Sequence, residues 1–358
     1  MRRSIFRISG VVLAAAAMLA MATTTATAAS SSSSSTNLKS ATLNGSGSTF
    51  QLGFNQVVIG AFKQQQKAVT INYQGVGSGQ GRTDFANKVT DFGGTDAPYS
   101  AGTAPADPFL YFPTVVAPIT ISYNLDTVKS LRLSPETTAK IFSAQITKWN
   151  DPAIAADNPS AKLPDQAITV VHRSEGSGTT QNFTNWLVKA AGPAWTLGTG
   201  STVQWPSSTQ GAQGNPGVGS LIQETAGAIG YVDLSDAKAL DLHFATVKNA
   251  NGRFIAPTLG GATKALQGLP VNPDLTFDPI NASGSRAYPI TSPTWIMVYT
   301  NQSDAKKGAA IKGFLNFIYG TGSGQGQDLA ATVDYAKLPS SLLTQAKAQV
   351  SKIVVPTT

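Results

Sequence analysis

Three hydroxyl-rich glycine turns, each set behind a short apolar run, limit what this chain can fold into more than any other feature. The last is Arg173-Ser174-Glu175-Gly176-Ser177-Gly178-Thr179-Thr180, behind Ala167-Ile168-Thr169-Val170-Val171. Phe183, Trp186, Leu187 and Ala190 follow at helical spacing, so the segment reads as strand, turn and helix. The first, Gly45-Ser46-Gly47-Ser48-Thr49-Phe50, lies between strand-like Ala41-Thr42-Leu43 and a helical face of Phe54, Val57, Val58, Ala61 and Phe62. The second, Gly75-Val76-Gly77-Ser78-Gly79-Gln80-Gly81-Arg82, follows the strand-like Val69-Thr70-Ile71-Asn72-Tyr73. A helix start leaves four backbone N–H groups unpaired and carries partial positive charge, which suits an anion. Gly176 and Gly178 let the backbone approach a ligand, the hydroxyls add donors, and Arg173 supplies a planar charged fork. One such turn could be an ordinary serine N-cap; the repetition argues for binding.

The spacing does not fit nucleotide loops. Gly75-x-Gly77 would need a glycine at 80 and Gly77-x-Gly79 one at 82, where the chain has Gln80 and Arg82. None of the turns contains Gly-Lys-Ser/Thr. A fourth element, Val89-Thr90-Asp91-Phe92-Gly93-Gly94-Thr95-Asp96-Ala97-Pro98, predicts a strand ending in Gly-Gly that delivers Asp96 to a loop. An Asp here could simply cap a turn. Among anion donors it has a sharper use. Phosphate keeps a proton at neutral pH and sulfate does not, so a carboxylate accepts the proton of one and repels the other.

Residues 1–28 read as an export signal, with Arg2, Arg3 and Arg7 before an apolar Val11 to Ala22 and a small-x-small Ala26-Thr27-Ala28. Residues 29–40, opened by a serine run, read as a flexible linker. Removing the three leader arginines takes the net charge from +7 to +4, with no basic run that would suit nucleic acid. The chain has no cysteine, hence no disulfide and no lipid-modified cysteine, and an exported, periplasmic or extracytoplasmic protein is expected. Short apolar runs alternate with helical patterns over the remaining stretch, which predicts an α/β architecture of about two domains. Ser134-Pro135 marks one helix start, and Ile311, Phe314, Leu315 and Ile318 mark another amphipathic helix.

Enzymatic readings have little to stand on. The histidines are His172 and His243, and His172 beside Arg173 could assist a Ser177 nucleophile, but no GxSxG surrounds Ser177. There is no HExxH and no dense His/Asp cluster for a metal, and no cofactor is expected.

The ordered motifs resemble those of the periplasmic phosphate-binding proteins, the substrate-binding components of bacterial high-affinity phosphate ABC transporters. The resemblance runs from about residue 41 to 340 through GSGSTF at 45–50, YQGVGSGQG at 73–81 and DFGGTDAP at 91–98. It continues through Phe112-Pro113-Thr114, Ile146-Thr147-Lys148-Trp149-Asn150-Asp151-Pro152 and Leu163-Pro164-Asp165. HRSEGSGTT at 172–180, GTGSTVQWP at 198–206, Gly227-Ala228-Ile229-Gly230-Tyr231 and Tyr288-Pro289-Ile290-Thr291-Ser292 complete it. It implies a type II periplasmic-binding-protein fold with a ligand cleft between two α/β domains, 41–118 plus 288–358 and 119–287, joined by crossovers near Thr114–Ile121 and Ala287–Thr294. By position it implies that phosphate is held by Thr49, the backbone N–H of Phe50, Ser78, Asp96, Arg173, Ser177, Gly178 and Thr179. It further implies hinge closure, delivery to membrane permease subunits, and a monomer. Three residues depart from the family pattern: Ser48 where alanine is common, Gln51 where proline is frequent, and Glu175 for an aspartate that pairs with the binding arginine. Arsenate, which also carries a proton, and a phosphatase-like hydrolase stand as alternatives.

Overall fold

The computed structural model describes residues 37–357; the proposed leader and the serine run lie outside them. A nine-stranded sheet runs through the chain. Its strands are β1 (Ala41–Gly47), β2 (Val69–Gly75), β3 (Phe92–Thr95), β4 (Phe109–Tyr123), β6 (Thr169–Arg173), β7 (Gln210–Ala212), β8 (Ala228–Asp233), β9 (His243–Phe244) and β12 (Thr291–Tyr299). The order is β2-β1-β3-β12-β4-β8-β6-β7, with β9 beside the end of β4. A small sheet of β5 (Arg132–Leu133), β10 (Thr246–Lys248) and β11 (Phe254–Ile255) stands apart. The helices are α1 (Leu52–Gln65), α2 (Ser78–Ala86), α3 (Pro135–Phe142), α4 (Pro152–Asp157), α5 (Gly178–Ala190), α6 (Gly214–Glu224), α7 (Leu234–Ala239), α8 (Leu259–Ala265), α9 (Ala305–Ile318), α10 (Gly326–Ala330) and α11 (Ser340–Val350).

β4 divides the sheet. Over Phe109 to Pro118 it pairs antiparallel with β12, and over Ile119 to Tyr123 it pairs with β8. Its near-continuous apolar sequence suits a strand covered on both faces. Pro118 marks the change of partner and Pro293 the irregularity in β12, positions where a missing N–H is tolerated. On one side of β4, β1, β2 and β3 run parallel; on the other, β6, β7 and β8 do. Ligand loops in such sheets gather beyond the carboxyl ends of the strands, and here those ends carry the three glycine turns.

The glycine turns begin later than the sequence reading placed them. Gly45-Ser46-Gly47 is paired strand, in register with Tyr73-Gln74-Gly75 on one side and Phe92-Gly93-Gly94 on the other. A side chain at Gly45 would enter the Phe92 ring, so glycine here permits packing rather than a turn. The strand leading to Asp96 starts at Phe92; Val89, Thr90 and Asp91 lie outside it. Ser134 does cap α3, its side chain accepting from the Thr137 N–H with Pro135 at the first turn. Ile311, Phe314, Leu315 and Ile318 are buried on α9. Among the described residues no helix is long and apolar enough to cross a membrane.

Candidate ligand-binding site

Two groups of strand ends face one another. From the first come Ser48 and Thr49 after β1, Ser78 at the start of α2, and Asp96 after β3. From the second come Arg173 at the end of β6 and the Ser177-Gly178-Thr179 start of α5. All of these residues are buried, including the Arg173 guanidinium, which is 1% exposed. Burying so many polar groups is favourable only if they are paired with one another or with a ligand.

The turn after β1 depends on Gly47, whose φ of +142° L side chains rarely adopt and where a Cβ would run into the Gly94 carbonyl. Phe50 keeps its ring in the core, edge-on to Tyr335 at 6.2 Å, and its carbonyl accepts from the Tyr335 hydroxyl at 2.6 Å. With ring and carbonyl both engaged, the backbone N–H is the part of Phe50 that could serve a ligand.

Asp96 is the one carboxylate buried among these donors. Ser48 Oγ donates to Oδ1 at 2.5 Å and Ser78 Oγ to Oδ2 at 3.2 Å. Burial pushes the carboxyl up to about 6, against the downward pull of the Ser48, Thr294 and Ser78 hydroxyls and of the Arg173 charge. It is ionised at neutral pH yet close enough to its midpoint to share a proton with a ligand.

Arg173 is held from three directions. Its Nε donates to Glu175 Oε1 at 2.9 Å, and a second guanidinium nitrogen closes on the same oxygen. The remaining nitrogen reaches Asn215 Oδ1 at 3.2 Å and Thr179 Oγ1 at 3.4 Å. Glu175 Oε1 also accepts from the Gly214 N–H at 3.0 Å. Ser177 Oγ caps α5, accepting from the Thr180 N–H at 3.1 Å. His172 is turned away, stacked on Trp205 with ring centroids 4.9 Å apart, its Nδ1 at 2.9 Å from the Arg173 carbonyl. The hydrogen bonds of His172 and Ser177 thus lead to different partners.

The two sides touch. Gly79 N–H donates to the Gly176 carbonyl at 2.8 Å, and Asn215 N–H to Thr49 Oγ1 at 3.2 Å. Asn182 Nδ2 donates to the Asp96 carbonyl and to Ser292 Oγ, both at 2.8 Å. The starts of α1, α2, α5 and α6 therefore converge, four helix N-termini around Arg173 and Asp96, which is an anion's electrostatic environment.

The PBP superfamily domain pattern matches residues 23–321. A phosphate-binding protein PstS of Pasteurella multocida is 33% identical over 319 residues, covering 87% of this chain and 90% of its own. The chain belongs to the PstS family of the PBP superfamily. The PstS3 of Mycobacterium bovis is 37% identical over 301 residues, 80% of this chain and 81% of its own. Among solved structures, the high affinity periplasmic phosphate-binding protein PfluDING, bound with phosphate, superposes with a TM-score of 0.70 at 24% identity, over 86% of this chain and 93% of its own. A putative phosphate ABC transporter substrate-binding protein from Clostridium perfringens, with bound phosphate, gives 0.60 at 19% identity, over 84% and 100%. These likenesses show the two-domain PBP fold.

For a PstS-family chain, two residues of this site escaped the sequence reading. Asn215 is fully buried, its Nδ2 donating to Thr179 Oγ1 at 3.2 Å and its Oδ1 on Arg173. The signal was available: Gly211-Ala212-Gln213-Gly214-Asn215 is another strand end, glycine and helix start. Asn182 lies one turn into α5 among buried residues, and nothing in its local sequence announces Asp96. At Gly178 the two sides leave no room for a side chain: a Cβ there would stand 2.6 Å from Ser78 Oγ and 2.7 Å from Asp96 Oδ2. Gly178→Ala is expected to leave the fold intact but oppose closure. Overpacking of roughly 1–3 kcal/mol corresponds to about a 5- to 160-fold loss of ligand affinity. Titration calorimetry checks this; undiminished binding would show that closure does not need the contact.

Proposed function

We propose that this chain binds inorganic phosphate between its two domains and hands it to the permease of an ABC importer. The observation that carries the reading is Asp96: an ionisable carboxylate wholly buried among hydroxyls, helix starts and Arg173. A site for a fully deprotonated anion would gain nothing from it. Thr49, the Phe50 N–H, Ser78, Arg173, Ser177, Gly178 and Thr179 would supply donors from both sides, with Asp96 accepting the ligand's proton. Ser48 and Glu175 would support Asp96 and Arg173.

The domains are 41–118 with 288–358, and 119–287, a division supported by the change of partner along β4 at Pro118 and Ile119. Contacts from both sides favour closure about β4 and the start of β12. The protein acts as a carrier, not an enzyme, a reading supported by the relatives' names and by the separate engagements of His172 and Ser177. Its leader pattern suggests export to the extracytoplasmic space, its composition leaves no cysteine to carry a lipid, and the family resemblance implies a monomer.

The experiment is calorimetric titration of the stripped protein with phosphate and then sulfate. One-to-one phosphate binding at about micromolar strength or tighter, near −8 kcal/mol, with sulfate silent, is the expected result. Equal sulfate binding would remove the role given to Asp96, and absence of both would remove the ligand.

A further inference from the structure

Ser48 is wholly buried and fixed on every side. Its N–H donates to the Gly94 carbonyl at 3.0 Å, and its own carbonyl accepts from the Tyr73 hydroxyl at 2.9 Å. Its Oγ accepts from the Gln51 N–H at 3.4 Å and donates to Asp96 Oδ1 at 2.5 Å. A hydroxyl has one proton, and with an N–H aimed at the oxygen that proton is committed to the carboxylate. The other carboxylate oxygen meets a longer contact from Ser78 Oγ, at 3.2 Å, a hydroxyl that also accepts from the Asp96 N–H, and the Thr294 hydroxyl lies against the same carboxyl.

We propose that Ser48 is a positioning residue that sets the site's anion specificity: by occupying Oδ1 it holds Asp96 as an ionised acceptor and presents Oδ2 to a ligand's own proton. This rests on the phosphate reading above and adds to it a residue that acts through Asp96. A short charge-assisted O–H···O bond is about twice as strong as a neutral one. Its loss would leave a buried oxygen without its best donor, a situation that favours the neutral acid. A neutral carboxyl donates. It would then welcome the fully deprotonated anion that the ionised form repels.

The surroundings leave this exchange to Asp96. Arg173 from β6 and Arg82 from α2 bring positive charge. Tyr73 from β2 and Tyr335 from the segment after α10 have hydroxyls that burial holds well above their ordinary value. α5 and β12 contribute Gly178, Asn182 and Thr294, none of which titrates. Of the influences that pull the Asp96 carboxyl down, the Ser48 hydroxyl is the largest.

The test is binding of inorganic phosphate, with sulfate as competitor, over a pH series for the parent protein and for Ser48→Ala, Ser48→Cys and Ser48→Thr. In the parent, preference for phosphate should fade as pH falls through about 6. In Ser48→Ala the fading should move upward by about one pH unit, so that the preference at neutral pH drops about tenfold. Thr restores the hydroxyl and the parent profile; Cys, a weak donor of similar size, gives an intermediate shift that reads the effect even if Ala folds poorly. A uniform affinity loss at every pH, with the midpoint unmoved, would make Ser48 an ordinary ligand donor or a structural residue and overturn the proposal. An unchanged preference would do the same. Failure of the parent to bind phosphate would instead refute the phosphate reading, and this one with it.

Discussion

Arg173→Ala is expected to weaken phosphate binding by roughly 2–5 kcal/mol, about thirtyfold to several thousandfold. The guanidinium is almost fully buried and its contacts are already directed, so little ordering remains to be done when an anion arrives. Its removal withdraws positive charge from a desolvated site and leaves Glu175, with only the Gly214 N–H among its named partners, facing any anion bound there. Arg173→Lys should recover a minor part of the loss, because a point charge cannot serve Glu175, Asn215 and Thr179 together. The measurement is calorimetric titration of both variants beside the parent. Undiminished affinity in Arg173→Ala would take Arg173 out of the site.

Asp96→Asn should have two opposite effects. An amide neither repels sulfate nor holds the acceptor charge for a ligand proton, so discrimination should fall by roughly 1.5–3 kcal/mol, about ten- to a hundredfold. Stability should move the other way. Burial raises the folded-state carboxyl from 3.8 to about 6, so the native state prefers the neutral form. The stability from that form is fully present below the unfolded value and is lost as pH rises through about 6. Two pH units amount to about 3 kcal/mol by neutral pH, a burden that asparagine does not carry. The ligand-free variant should therefore melt several degrees above the parent at pH 7–8, with the gap closing below about pH 4. Thermal melts across that range check it; a variant that melts lower at every pH would mean the ionised carboxylate's hydrogen bonds outweigh its desolvation. The site holds its specificity at the expense of the fold.

What could be read from the sequence follows the range of the forces involved. Strand, glycine and helix start are local events, and Gly47, Ser78 and Ser177 lie where such patterns end. The paired glycines at 45–47 were less legible, because pairing is decided by Phe92 and Gly94, some fifty residues away, which fill the space a side chain would take. Asn182 and Asn215 were missed for the same reason. Their meaning lies in Asp96, Ser292, Thr49 and Arg173, contacts spanning up to 166 positions for Asn215. β4 gave no sign of being one strand, since Pro113 and Pro118 argue locally against a central strand. The partners on either side of each proline decide the matter.

The position of β12 sets the order in which the molecule can be assembled. It lies between β3 and β4, yet it comes from residues 291–299 of a 358-residue chain. Until that late segment leaves the ribosome, β1, β2 and β3 have no route to β4, and the nine-stranded sheet lacks the strand that joins them. Domains usually fold in turn during synthesis, the amino-terminal one first. Here β1, β2 and β3 can be joined to β4 only after residues 291–299 have been made, so this part of the sheet stays unfinished for most of the chain's translation.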